Sequence, residues 1–130
     1  MRVYAPSGLF LISAFLASPV FGQEQCLKSG DGPYALEGQL TAGRFRDAAN
    51  RPESALILIL PKSVCMTGDG EEDKVKGTNR VHVFASDEAL HKRLQALTGK
   101  RITVSGEPFG AHTSHHHAPI VLNVSKLGGQ

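Results

Sequence analysis

The chain has 130 residues, with 14 Lys and Arg against 12 Asp and Glu, two cysteines, no tryptophan and few aromatics. This length suits one domain and leaves no room for two cores. A formal charge of +2 and the few aromatic rings give no electrostatic or stacking footprint for a polyanion, so nucleic-acid binding is not expected.

Arg2 supplies a positive start, Leu9 to Ala17 a short apolar core, and Pro19 breaks the segment before Val20-Phe21-Gly22. That pattern predicts a secretory signal over residues 1–22, cleaved after Gly22. The apolar run is about half of the roughly 20 residues needed to span a bilayer, so no stable membrane anchor is expected. Cys26 follows Glu24 and Gln25 rather than a lipobox, which argues against a lipid anchor. The mature chain is then a single domain over 23–130, and removing Arg2 from the 14 basic residues leaves 13 against 12 acidic ones. The expected location is the periplasm or the exterior. There a lone cysteine pair, Cys26 and Cys65, reads most simply as one disulfide, with a thiol metal site shared with histidines as the alternative. Closing a loop of about 40 residues is worth roughly 4 kcal/mol in the chain-entropy treatment.

After a Gly-Asp-Gly-Pro turn at residues 30–33, Tyr34 to Leu40 alternates as a strand, with Gly38 marking a bulge or bend. Residues 46–53 read as a loop. Ala55 to Leu60 is an apolar run ended by Pro61, long enough for a strand covered on both faces. Paired as a hairpin, these strands bring Cys26 and Cys65 to the same end. The second strand wants cover outside as well as inside, from the helix or from a partner. Residues 67–79 read as a surface loop, and Arg80 to Ala85 as the third strand. Ser86 opens a helix as N-cap, with Asp87 and Glu88 on its positive end. Leu90, Leu94 and Leu97 form its apolar stripe and Gly99 ends it. Arg101 to Ser105 is the fourth strand, bent at Gly106 and Pro108, and Ile120 to Val124 the fifth. The fold class is mainly β, an antiparallel five-stranded OB-like barrel (β-β-β-α-β-β) with one helix between strands three and four.

Four of the six histidines fall in His112-Thr113-Ser114-His115-His116-His117, between the last two strands. An extended backbone there puts His115 and His117 on one face and His116 on the other. Such imidazoles, with His112 folding in, can bind Zn²⁺ or Cu²⁺. Two other readings stay open: histidines that cap the loop, and a pH-responsive or partner-contacting surface. His82 faces away from Val81 and Val83 as the outer side of its strand, and His91 reads as exposed on the helix. The acidic run 69–73 lacks the ligand spacing of a calcium loop. Ser114 beside His112 and His115 has no third group or oxyanion hole, so catalysis is not expected.

These residues resemble a family of small secreted bacterial proteins catalogued as a domain of unknown function. The matching positions are Cys26, Cys65, Leu97-Thr98-Gly99-Lys100, Val104-Ser105-Gly106, Phe109, His112 to His117 and Ile120 to Val124. Ser114 stands where the family has Gly and Ala118 where it has Thr; the 46–54 loop is shorter and keeps only Glu53-Ser54 of the family's stretch. The resemblance implies export, the fold and the disulfide, and supplies no activity. The expectation is an exported non-enzymatic binding protein without a cofactor, such as an inhibitor or immunity protein of the periplasm. It would contact an envelope protein, or a second copy of itself, through His82, Phe109 and His116. The alternative is a periplasmic zinc- or copper-binding protein using His112, His115 and His117.

Overall fold

The computed structural model describes residues 25–128; the signal segment expected over 1–22 lies outside them. The elements are β1 (Gln25–Lys28), β2 (Tyr34–Arg46), β3 (Pro52–Thr67), a 3₁₀ turn (Glu71–Asp73), β4 (Val75–Phe84), α1 (Glu88–Gln95), β5 (Arg101–Gly110) and β6 (Ile120–Leu127). Strands β2 to β6 close a five-stranded barrel in the order β3-β2-β5-β6-β4, sealed by the β3–β4 pairing. One helix joins β4 to β5, the third and fourth barrel strands, as in an OB-like fold. The barrel is not a pure antiparallel meander. β6 returns between β5 and β4, antiparallel to the first and parallel to the second.

Alternation builds the interior. Leu36 and Leu40 of β2, Leu56, Leu58 and Leu60 of β3, Val81 and Val83 of β4, Val104 of β5, and Ile120, Leu122 and Val124 of β6 share one core. Leu94 of α1 is fully buried among them, flanked by Leu90 and Leu97, so the helix stripe packs on that core. Asp87, not Ser86, caps the helix, its Oδ2 accepting the Leu90 N–H at 2.8 Å. Ser86 is drawn instead to Asn123, its hydroxyl and N–H both donating to Oδ1 at 3.3 Å. Past the helix, Gly99 sits at φ +89°, a conformation suited to glycine, and donates its N–H to the Leu40 carbonyl at 2.7 Å.

All five barrel strands are longer than the sequence suggests, with β5 running on to Gly110 and β6 to Leu127. β2 runs on to Arg46, and the loop shrinks to a turn in which the Asp47 carboxylate accepts the N–H groups of Ala49 and Arg51 at 2.9 Å. β3 continues through Pro61, because residues 60–63 lie where one set of partners ends and another begins. The β2 ladder stops at Ile59, β1 takes over at Val64, and the β4 register slips across the same interval, so no ladder bond is required of the proline. β4 starts at Val75, its exposed polar first half pairing with Val64 and Met66. The Cys26 segment is itself a strand, β1, parallel to β3 with Cys26 opposite Cys65. The two form the disulfide, their Cα atoms 4.4 Å apart.

The outer side of β3 is covered by the β5–β6 loop, while the helix packs on the main core. Ala55 and Ile57 are buried there beneath Ala118 of the β5–β6 loop, with Phe45 and Ile59 against them. This small cluster fastens the histidine loop to the barrel wall. Among the described residues no helix is long and apolar enough to cross a membrane.

Candidate functional site

The β2–β3 turn and the β5–β6 loop come together over the outer face of β3 and β4. Phe45 and Glu53 are opposed across the β2–β3 ladder, and His82 of β4 lies opposite Ile57 of β3 and Val121 of β6. Loop residues 111–119 are closed at the base by the Ala111 N–H donating to the Pro119 carbonyl at 3.1 Å.

Inside the loop the backbone turns rather than extends. His116 Nδ1 accepts the N–H groups of His112 at 3.1 Å and Thr113 at 3.3 Å, while Thr113 Oγ1 accepts that of His115 at 3.2 Å. An acceptor nitrogen must be unprotonated. Burial, followed by repulsion from His112, His115 and His117, lowers the His116 pKa and favours that state.

His115 and His117 do share a side of the loop, and the group they share is Glu53. His115 Nδ1 donates to Oε1 at 2.8 Å, and His117 Nε2 donates to Oε2. These bonds, His117's first and His115's second, hold the Glu53 carboxyl below its ordinary range. The His117 side chain is 8% exposed and stacks on Phe45, ring centres 4.3 Å apart and planes within 8°. Its backbone N–H donates to His82 Nδ1 at 3.1 Å. His82 is half-buried, and desolvation, aided by His117 and His116, pushes its pKa down to about 4.

His112 stands apart from the Glu53 clamp. Its Nδ1 donates to the Gly110 carbonyl at 3.0 Å, and its ring rests on Phe109 and His116 at 5.5 and 4.7 Å. Phe109 also touches His116, and Phe84 meets Phe109 edge-on at 6.3 Å. A cleft of about 270 Å³ opens here, lined by Glu53, Ser54, His82, Phe84, His115 and His116. Among the described residues no group of three or more His, Cys, Asp or Glu side chains is set to hold a metal ion.

Sequence reasoning singled out His82, Phe109 and the four loop histidines, and the structure gathers all of them at this end of the barrel. It missed Phe45, Glu53 and Phe84. Glu53 fell in the stretch read as loop; once the β2–β3 turn is tightened to 47–51, the hairpin register places it opposite Phe45. His91 is not merely exposed: it is half-buried, and its Nδ1 accepts the Ala85 N–H at 3.1 Å. Ser114 lies exposed in the turn. The acidic run forms the 3₁₀ turn, where Asp73 Oδ1 accepts the Gly110 N–H at 2.8 Å.

Residues 80–127 match a domain of unknown function (DUF4431). The matched segment takes in the second half of β4, all of α1, β5 and β6, and with them His82, Phe109 and the whole histidine loop. Glu53 and both cysteines lie outside it. No curated protein and no solved structure matches the chain.

Proposed function

We propose that this is an exported, non-enzymatic binding protein that holds a protein partner in the periplasm, as an inhibitor or immunity protein does. The observation carrying the reading is the position of the histidine cleft. It lies between the loops joining barrel strands one to two and four to five, over strands two and three, which is where OB folds take their ligands. The cleft offers the rim of Phe84 and the rings of His82 and His116, a mixed apolar and polar surface of the kind used in recognition. The Nδ1 atoms of His82 and His116, the two acceptor nitrogens on the cleft, are engaged by backbone N–H groups, which suits shape better than proton transfer. The disulfide and the signal-like first 22 residues support an oxidising compartment. The near balance of charge supports a protein partner over a nucleic acid.

A photo-crosslinking residue at Ser54, on the cleft, should give one dominant adduct in intact cells, and the same residue at the exposed Lys126 of β6 should not. Equal labelling from both positions, or none from Ser54, would refute the reading.

A further inference from the structure

We propose that Glu53, His115 and His117 bind one zinc or copper ion where the two loops meet. The inference is independent of the protein-partner reading and assigns the ligands differently from the sequence pattern, replacing His112 with a carboxylate from the other loop.

The donor set carries the argument. Two imidazole nitrogens from positions 115 and 117 face the two oxygens of a single carboxylate from β3. Two imidazoles and a carboxylate, with no thiolate, suit zinc and copper rather than calcium or magnesium. Ligands about 2.0–2.2 Å from a tetrahedral zinc stand roughly 3.3–3.6 Å from one another. The His115 Nδ1 to Glu53 Oε1 spacing is 2.8 Å, so that pair has to part by well under an ångström, and His117 Nε2 and Glu53 Oε2, which stand closer, have to part further. The donors meet as two hydrogen-bonded pairs and not around one point, so binding has to draw both rings towards a common centre. On binding, a neutral ring moves the hydrogen facing Glu53 to its far nitrogen, and a protonated ring releases it to solvent.

The three ligands differ in freedom in a way that favours capture. His117 is fixed by the Phe45 stack and by its backbone bond to His82, and its side chain is nearly buried. The His115 side chain is 64% exposed and that of Glu53 24%, so both can adjust around the fixed ring. His112 is occupied elsewhere, with Nδ1 on the Gly110 carbonyl and its ring on Phe109.

The test is a zinc titration of the untagged, disulfide-bonded, initially metal-free chain, followed by calorimetry and by histidine ring NMR. One ion should bind per chain, shifting the His115 and His117 ring signals and leaving His91 unmoved. His115→Ala and Glu53→Gln should each weaken binding by about tenfold or more, the scale on which zinc sites respond to losses even beyond their direct ligands. His112→Ala should bind as wild type. Because His115 is exposed, its removal leaves the barrel intact, which an unchanged melting temperature would show. Wild-type affinity in both His115→Ala and Glu53→Gln would overturn the proposal. So would a loss in His112→Ala equal to that in His115→Ala, or no saturable binding at all. Crosslinking from Ser54 in metal-depleted protein is decided separately, so either idea can fail alone.

Discussion

Two ring nitrogens shape the histidine loop, Nδ1 of His82 and Nδ1 of His116, and each works only while its ring is unprotonated. For His82 the folded pKa is about 4 against an ordinary 6.5, mainly through burial. His116, His117 and His91 push in the same direction and Glu53 opposes them. The unfolded chain therefore takes up this proton first as pH falls. The stabilisation is complete above about pH 6.5 and is lost progressively towards about pH 4. A His82→Asn variant keeps an acceptor near the position of Nδ1 without the titration. Its stability should fall less than that of wild type between pH values near 7.5 and 5, as urea midpoints would show. Parallel pH profiles for the two proteins would contradict this account.

At the level of elements, the helix start separates two residues that the sequence alone cannot rank. Ser86 and Asp87 are both good caps, but only Asp87 is placed to accept the Leu90 N–H, since Asn123 holds Ser86. Asp87→Ala should cost about 0.5–2 kcal/mol and Ser86→Ala less, measured by chemical denaturation. Strands with one buried face were legible because their alternation survives in the residues: 34–40, 101–105 and 120–124 lie within observed strands, and 80–85 does so but for Ala85. The first half of β4 was not, because both its faces are largely exposed and its residues are polar like a loop's. Pro61 misled in another way. A proline stops a strand where a ladder bond is required, and here the ladder changes partners. The site divided along the same line. Its histidines announced themselves by clustering, while Glu53 acquires meaning only through a register that pairs it with Phe45 and a loop arriving 62 residues later.

Across the whole molecule, the barrel closes on itself, but β1 lies outside it, attached to the far half of β3 by four residue pairs and the disulfide. Besides the covalent link, this short strand is held by its pairing and by Leu27, which is buried in the core. Cys65→Ser should cost about 2–5 kcal/mol, the usual range for a native bridge in a small disulfide-bonded domain, and should raise hydrogen exchange in 25–28 before the barrel strands. Equal protection of β1 in both forms would show that pairing alone retains it. The same attachment gives the domain a polarity. β3 meets the histidine loop through Glu53 and meets β1 through Cys65, up to roughly 40 Å further along an extended strand. Past β1 the chain comes round to the loop again, since Ser29 and Asp73 both lie against Gly68 and Asp73 holds Gly110 at the base of the histidine loop, so the disulfide end and the histidine face are joined by the 3₁₀ turn as well as by β3.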